Sequence, residues 1–394
     1  MAKGRGGFIG QDGLNAPDSP TQVSGTGGDA SVSVAFTAPT DVGASAITGY
    51  RAQSNTGVGA SGTSSPINVT GLSNGTTYTF NVWAINAFGY SAPSDASTGV
   101  APVAPQYGLF CGGDNNSNQF VNTIDYINLL SAGNASDWGD LTQGMIEGAH
   151  GNVGSSTRGI IFSGETSVTK TNVIQYISLA STGNAADFGD LTGTPTRSAA
   201  VGNSTRGVCC AGDSTNVIQY ITIASTGNST DFGDTSTNAE NMAGVSSTTR
   251  GVFGSVANGQ GTTIEYITIA STGNSSNFGS LGSNSGTMAG GSSNTRGIFG
   301  PIGSSASNTI EYITIASTGN TTDFGDFSTN CERSCGVTGS TKMAIALCSD
   351  GSSNLNTIDQ ITIGTTGNAT DFGDLSETRR EINGGASSIH GGLS

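Results

Sequence analysis

The sequence predicts an all-β protein in which a β-sandwich precedes a six-bladed β-propeller. Short runs rich in Val, Ile, Thr, Tyr and Phe are separated by clusters of Gly, Pro, Ser and Asn, the pattern of strands and turns. No window places apolar residues at the i, i+3, i+4, i+7 spacing of an amphipathic helix. The 62 glycines among 394 residues, of which only 10% are charged, fit short strands joined by many turns.

A segment that reads Thr-Ile-Glu-Tyr-Ile-Thr-Ile-Ala-Ser-Thr-Gly-Asn at residues 263–274 recurs throughout the last three quarters of the chain. Its copies are 50, 44, 46, 46 and 48 residues apart and centre on Asn134, Asn184, Asn228, Asn274, Asn320 and Asn368. Self-similarity at this period indicates a solenoid, a propeller or an array. Because no helical pattern is present, the unit has to be built from strands.

Each repeat unit predicts four strands. Ile264 and Tyr266 place apolar groups on both faces of a middle strand, and the Ser-Thr-Gly-Asn stretch after it is turn chemistry. A short strand around Phe278 follows, then a small-residue strand at Met288–Gly291 and another strand at Thr295–Gly300. Four short strands per 44 to 50 residues are typical of a propeller blade.

The strand order and the glycines of the repeats resemble kelch repeats, although Phe replaces the usual kelch Trp in every copy except at Trp138. The resemblance implies a six-bladed propeller over residues 107–394, 288 residues or 48 per blade. Residues Tyr107–Gly113 match the second strand of a blade. Its first strand can come only from the C-terminus, around Glu381–Gly385, so the two ends are predicted to share a blade and remove free sheet edges.

Residues 17–102 predict a β-sandwich. Strand patterns lie at Ser31–Phe36, Ile47–Ala52, Ile67–Val69 and Thr77–Ala84. The run Leu72–Gly89 resembles the last hairpin of fibronectin type III domains, and the resemblance implies a tyrosine corner formed by Leu72 and Tyr78, with Phe36 in place of a buried Trp. Residues 103–106 form a short Pro-containing linker.

The charge distribution disfavours nucleic acid as a partner. Residues 1–106 hold three Lys/Arg and five Asp, which leaves ten Lys/Arg against 23 Asp/Glu in the repeat region, out of a total net charge of −15. Phosphates require a basic surface. The N-terminus lacks the apolar run of a signal peptide and no stretch could span a membrane, so synthesis in a cytoplasm is expected.

Residues 1–16 form a Gly-rich arm that carries two cations, Lys3 and Arg5, and one apolar pair, Phe8 and Ile9. Such a composition cannot fold alone. The arm is either a frayed terminus or a docking peptide that becomes ordered on a partner, and the candidate docking residues are these four.

The sequence offers little material for catalysis, and no catalytic residue, cofactor or metal is predicted. The two histidines, His150 and His390, lie outside the repeated motifs. The six cysteines are expected to be packed free thiols, and a zinc site at Cys331 and Cys335 lacks further ligands. The turn Asp231-Phe232-Gly233-Asp234 recurs in four other units with both aspartates, as a structural turn or a calcium site.

One cation per unit precedes the glycine of the second strand: Arg158, Arg206, Arg250, Arg296 and Lys342. Equivalent positions in successive blades would form a ring. The ring is a candidate site for carboxylated or sulfated glycans, or its members pair with the Asp-rich turns.

The whole assembly resembles accessory virion proteins of tailed phages, especially those of marine cyanobacterial phages. This resemblance implies a non-enzymatic virion structural protein, present in several copies on the particle. It would be anchored to other virion proteins through its N-terminal part and display the propeller to host-surface glycans. The alternatives are a glycan-degrading propeller enzyme and a bacterial surface adhesin.

Overall fold

The structure, a computed structural model, describes residues 15–389 except 116, 118, 214, 259 and 287. The chain divides into two compact units that separate between Pro105 and Gln106. The described residues form strands, turns and bends without any helix, which confirms the all-β class. In this part of the chain no helix is long and apolar enough to cross a membrane.

The first unit is a sandwich of two sheets with the strand orders β1-β2-β5 and β4-β3-β6-β7. The strands are β1 (Thr21–Gly28), β2 (Ser31–Thr37), β3 (Ile47–Ser54), β4 (Gly59–Gly62), β5 (Ile67–Thr70), β6 (Phe80–Asn86) and β7 (Gly89–Tyr90). Strands β1 and β4 were not predicted from the sequence, because they are rich in Gly and Ser and lack the alternating apolar residues typical of strands. One apolar core fills the space between the sheets, with Val34, Phe80 and Val82 completely buried.

Two hydrogen-bonded features fix the end of this sandwich. The hydroxyl of Tyr78 accepts a hydrogen bond from the main-chain N–H of Ser73 at 3.1 Å, so the predicted tyrosine corner is present. Residues 91–97 run beside β6, where three buried serine hydroxyls accept hydrogen bonds from its main-chain N–H groups. They are those of Ser91, Ser94 and Ser97, bonded to Ala84, Val82 and Phe80.

The second unit contains six sheets, numbered here in chain order, within its described residues. Sheet 1 comprises β8 (Tyr107–Asn115), β9 (Phe120–Asn128) and β10 (Ser136–Asp140), joined by the C-terminal β31 (Arg379–Arg380) and β32 (Gly384–Ser387). Sheet 2 comprises β12 (Arg158–Glu165), β13 (Lys170–Ser178) and β14 (Ala186–Asp190), while the short β11 (Ala149–His150) pairs with β15.

Sheets 3 to 6 each contain four antiparallel strands in chain order, and sheet 3 also includes the short β11, which pairs parallel with β15. Sheet 3 is β15 (Ser198–Gly202), β16 (Arg206–Gly212), β17 (Thr215–Thr222) and β18 (Thr230–Ala239); sheet 4 is β19 (Ala243–Ser246), β20 (Arg250–Gly254), β21 (Gly261–Thr268) and β22 (Ser276–Ser285). Sheet 5 is β23 (Ala289–Ser292), β24 (Arg296–Gly300), β25 (Ser307–Thr314) and β26 (Thr322–Cys331); sheet 6 is β27 (Cys335–Thr338), β28 (Lys342–Ala346), β29 (Thr357–Thr362) and β30 (Thr370–Asp374).

Neighbouring sheets share their apolar cores. Val245 of sheet 4 packs in one cluster with Phe299 and Ile313 of sheet 5. Phe110 of sheet 1 packs in another with Val337 of sheet 6. The small-residue strands β15, β19, β23, β27 and β32 are buried along their whole length. The first sheet therefore shares a core with the last as well as with the second.

A repeated hydrogen bond joins each sheet to the next. The glycine of every Ser-Thr-Gly-Asn-type turn donates its N–H to the carbonyl of the aromatic residue in the last strand of the preceding sheet, at 2.7–2.8 Å. The six pairs are Gly183–Trp138, Gly227–Phe188, Gly273–Phe232, Gly319–Phe278, Gly367–Phe324 and Gly133–Phe372. The last pair links sheet 1 to sheet 6, so the series returns to its start.

The Asp-Phe-Gly-Asp segment is a β-bulge within a strand, and its prediction as a tight turn was wrong. In β18 the pairing with β17 shifts at this point, because Ile218 faces Gly233 whereas Gln219 faces Asp231. Gly233 has a φ of +147°, and a Cβ there would lie 2.5 Å from the main chain of Gly273. The glycine is required because the following sheet's turn packs directly onto the bulge.

The C-terminal strand β32 pairs antiparallel with β8 in sheet 1, with Gly384 opposite Cys111 and Ser387 opposite Gly108. The sequence predicted that the strand at this edge of sheet 1 would come from around Glu381–Gly385, and the observed strand overlaps the end of that segment. A completely buried ion pair between Arg379 and Asp125 lies beside it. The guanidinium of Arg379 also donates to the carbonyls of Gly112 and Thr123.

Candidate ligand-binding sites

Four of the five repeated cations lie over tyrosine rings. The guanidinium carbon is 4.2–4.8 Å from the ring centroid in the pairs Arg158–Tyr176, Arg206–Tyr220, Arg250–Tyr266 and Arg296–Tyr312. Each guanidinium also donates to a main-chain carbonyl of the following sheet at 2.8–2.9 Å; the acceptors are Ile223, Ile269, Ile315 and Ile363. Each arginine therefore joins two sheets through a cation–π contact and a charge-assisted hydrogen bond.

The hypothesis that these cations pair with the repeated aspartates is wrong. The salt bridges of the described residues involve Lys170, Arg197, Arg333, Arg379 and Arg380. The reason is geometric, since each guanidinium reaches across its tyrosine to a carbonyl of the next sheet. One bulge carboxylate has a local partner, because Asp137 accepts from the N–H of Gly139 at 3.1 Å.

The arginine and tyrosine pair is absent from sheets 1 and 6. In sheet 1, Tyr107 takes the arginine's position and makes edge contacts with Tyr126 and Trp138 at centroid distances of 5.5 and 5.2 Å. In sheet 6 the pair becomes Lys342 and Gln360, whose Nζ and Oε1 atoms are 2.9 Å apart.

Small polar pockets recur beside the third strand, and we call them the turn pockets. One, of about 190 Å³, lies between Tyr266 and the turn Ser271–Asn274. The next, of about 170 Å³, lies between Tyr312 and the turn Ser317–Asn320. A third, of about 300 Å³, lies beside Gln360 in sheet 6. Hydroxyl groups, an asparagine amide and a partly exposed tyrosine line the first two.

A different cavity, of about 220 Å³, carries a concentration of charge and is called here the charged cavity. It is lined by Glu147, Arg197, Asn241, Gln260, Gly286, Glu332, Arg333 and Glu381. Arg197 pairs with Glu147 at 2.5 Å, and Arg333 pairs with Glu381 and, at 3.6 Å, with Glu332. Burial raises the pKa of Glu381 above its usual range against the opposing effect of Arg333, while Glu147 reinforces the increase.

Five of these lining residues share a left-handed backbone conformation. Glu147, Arg197, Asn241, Arg333 and Glu381 have φ between +53° and +57°, and each lies shortly before or at the edge of a small-residue segment. This conformation is unfavourable for residues other than Gly and Asn. Sequence reasoning missed the charged cavity, because the residues are dispersed over 235 positions and differ in type; their common place just before the small-residue strands was the only available signal.

The remaining candidates have less to offer as binding sites. His150 is buried, and burial lowers its pKa to about 4 against an opposing hydrogen bond with the main chain of Ser334. The cysteines are buried free thiols, as predicted, and burial raises the pKa of Cys111, Cys209, Cys331 and Cys348 to about 12. The described residues contain no cluster of three or more His, Cys, Asp or Glu that could hold a metal ion. The candidate docking residues Lys3, Arg5, Phe8 and Ile9 lie outside the described residues, as does His390.

Comparison with known proteins identifies the first unit. The family model described as "Fibronectin type III domain" matches residues 18–100, so the chain contains a fibronectin type III domain, as the Leu72–Gly89 pattern predicted. Among solved structures, the crystal structure of domains A168–A170 from titin shares 30% sequence identity. That match covers 24% of this chain and 34% of the titin chain, with a TM-score of 0.22. No curated protein sequence matches the chain.

Proposed function

We propose that the second unit is a six-bladed, kelch-like β-propeller. The antiparallel strand order, the shared cores and the hydrogen bonds that return from sheet 6 to sheet 1 support this proposal. Deletion of Gly384–Ser394 is the test. In a closed ring it should abolish the cooperative unfolding of the whole unit, whereas in a row of separate sheets only sheet 1 would be lost. Retention of an otherwise unchanged transition would contradict the ring.

We further propose that the protein is a non-enzymatic component of a virion, as its resemblance to tailed-phage accessory proteins suggests, and that it displays the propeller to host-surface glycans. The recurrence of the turn pockets carries this proposal. Ser, Thr and Asn side chains supply donors and acceptors for sugar hydroxyls, and a tyrosine ring supplies an apolar surface. Several weak sites on one rigid unit would bind a repetitive polysaccharide with increased avidity.

The glycan test compares the wild type with Tyr266→Ala and Tyr312→Ala on immobilised host-cell polysaccharide. Loss of one pocket's ring should weaken binding severalfold, and the double variant should weaken it further. Tyr90→Ala is the matched control, because this ring is half exposed in the first unit and lies outside the pockets. Equal binding by all variants would show that the turn pockets do not carry adhesion.

Anchoring to the particle is a separate question. A protein that begins at Pro17 should fold but fail to join particles assembled without the native copy. Phe8→Ala with Ile9→Ala should reduce incorporation more than Lys3→Ala with Arg5→Ala, since burying a large apolar side chain contributes about 1.5–3 kcal/mol and an exposed ion pair about 0–1 kcal/mol. Full incorporation of the Pro17 protein would assign the anchor elsewhere, and labelling of cell envelopes instead of particles would favour a bacterial adhesin.

A glycan hydrolase is the second candidate, and the charged cavity is the observation that favours it. Glycosidases use a pair of carboxyl groups, one of them with a raised pKa, and burial raises the pKa of Glu381 above its usual range here. Glu147 and Glu381 would supply these groups, although both are held by arginines. Release of reducing ends from a host polysaccharide, lost in Glu381→Gln, would establish this activity in place of simple adhesion.

A further inference from the structure

The turn pocket of sheet 6 differs from its two counterparts in size and in charge. Its volume is about 300 Å³, against about 190 and 170 Å³ beside Tyr266 and Tyr312. Gln360 stands where sheets 4 and 5 have these tyrosines, and Lys342 stands where they have arginines. The replacement of an aromatic ring by a carboxamide therefore coincides with the larger cavity.

The cation of this pocket is bound differently from the four arginines. Each arginine lies on a ring and donates to a carbonyl of the next sheet, as in Arg296 over Tyr312 and bonded to Ile363. Lys342 donates to Gln360 at 2.9 Å, and its ammonium makes no salt bridge within the described residues. An ammonium has three N–H donors, so this neutral contact uses one of them.

We propose that this pocket binds the anionic group, a sulfate or carboxylate, of an acidic sugar. The inference rests on the proposed glycan adhesion and adds the class of sugar for one site. The Lys342 ammonium supplies the charge, while Asn368, Thr365 and Thr366 supply polar groups around it. None of the described residues that line the pocket is acidic, although the chain carries a net charge of −15. An anionic sugar is thus repelled by most of the surface and attracted here.

The other turn pockets lack this property for a physical reason. A guanidinium that is stacked on an aromatic ring and bonded to a carbonyl has already lost part of its hydration and uses its charge within the protein. The two pockets beside Tyr266 and Tyr312 also have no cation among their lining residues. Sheet 6 is therefore the place where the repeat departs from a structural role and acquires a charged site.

The experiment measures binding of the full chain to a sulfated galactose tetrasaccharide and to the same tetrasaccharide after desulfation. The wild type should prefer the sulfated form, and Lys342→Gln should reduce its affinity for that form about fivefold or more, with little change for the desulfated form. Gln360→Tyr restores the ring of the other sheets and should also reduce binding of the sulfated form. The preference should decline as salt is added.

Arg158→Gln is the matched control, because it removes the equivalent cation of sheet 2 together with an inter-sheet hydrogen bond to Ile223, and neither residue lines the pocket of sheet 6. It should leave the sulfated-sugar preference unchanged, with thermal unfolding used to confirm that every variant is folded. Equal losses in Lys342→Gln and Arg158→Gln would reduce the effect to net charge and overturn the proposal.

The two proposals fail in different ways. A wild type that binds both tetrasaccharides equally, with losses in Tyr266→Ala, overturns the acidic-sugar pocket and leaves the proposed adhesion intact. Binding of the sulfated form that depends on Lys342 and is unaffected by Tyr266→Ala supports the pocket and overturns adhesion through the tyrosine pockets. Binding of inorganic sulfate alone as tightly as the sulfated sugar would overturn the assignment to a saccharide, and binding of neither tetrasaccharide would overturn both proposals.

Discussion

The two units of this protein solve the same problem, the burial of β-sheet faces, in different ways. The fibronectin type III unit places one continuous apolar core between two sheets. The second unit divides its apolar residues among several clusters that join successive sheets, and it adds polar links at every junction. Defects in the first unit are therefore expected to act through packing, and defects in the second through the junctions.

A second set of junction bonds strengthens this contrast. In each sheet one side chain of the strand that precedes the repeated turn accepts a main-chain N–H from the preceding sheet, two residues beyond the bulge segment, at 2.6–3.2 Å. The acceptors are Gln175, Gln219, Glu265, Glu311, Asp359 and Asp125, and the donors are Thr142, Thr192, Ser236, Gly282, Ser328 and Ser376. A buried amide or carboxylate without such a donor would carry a desolvation cost.

The largest effect is expected where a junction contains a buried charge. Arg379→Met leaves the completely buried Asp125 carboxylate without its guanidinium, which should cost the second unit about 3–5 kcal/mol of unfolding free energy. Denaturant unfolding measures this loss. Asp125→Leu added to Arg379→Met should recover much of it, because the uncompensated charge is removed. A single variant as stable as the wild type would show that the stability of the second unit does not depend on this pair.

Acidification should destabilise the second unit through its buried histidine, an effect that the first unit lacks. Burial lowers the pKa of His150 to about 4 from 6.5, so the unfolded chain binds a proton more readily than the folded one between these values. The stabilisation of the second unit by the neutral His150 is fully present above pH 6.5. It is lost as the pH decreases toward 4, by about 3 kcal/mol of unfolding free energy in total. The first unit contains no histidine and lacks this contribution.

The pH prediction is checked by unfolding the wild type and His150→Gln between pH 7 and pH 4. The variant's second unit should lose less stability over this interval than the wild type's, while the first unit behaves alike in both. Parallel pH profiles for the two proteins would contradict a buried neutral imidazole.

The contrast also explains what could be predicted from the sequence. The tyrosine corner was predictable because Ser73 and Tyr78 interact over a short stretch of chain. The repeat period and the strand types were predictable because the same sequence pattern recurs in every repeat unit. The hydrogen bonds of the asparagines were not predictable, although Asn274 and its counterparts recur in all six copies. Their partners lie in the preceding sheet, as shown by the N–H of Asp234, which donates to Asn274 at 3.1 Å.

The charged cavity could not be predicted from local sequence patterns. Glu147 and Arg197 are 50 positions apart, and their contact depends on two adjacent small-residue segments coming close together. Likewise, no local pattern indicates that Arg250 bonds to a carbonyl 65 residues away. Contacts that depend on how separate sheets meet require the structure.

A smaller effect should follow from filling the space at one junction. Gly233→Ala places a Cβ 2.5 Å from the main chain of Gly273 at a φ of +147°. Gly273→Ala has a similar φ of +152° but open space around the Cβ. The first substitution should therefore cost about 2 kcal/mol more than the second. Thermal unfolding of the two proteins measures the difference, and equal destabilisation would show that the junction has room to adjust.

The smallest effect is expected in the first unit, at the tyrosine corner. Tyr78→Phe removes only the hydroxyl that accepts the N–H of Ser73 at 3.1 Å, while the buried ring and the neighbouring Leu72 are unchanged. The loss should be about 1–2 kcal/mol, the value of a partly buried hydrogen bond whose remaining donor loses its partner. Because the apolar core stays intact, the unit should still unfold in one transition, only at a lower temperature.

The second unit has its own cores and junctions, so its transition temperature in calorimetry should be unchanged. A shift of both transitions together would mean that the two units do not fold independently, and the comparison between a single core and a series of junctions would then describe one cooperative structure.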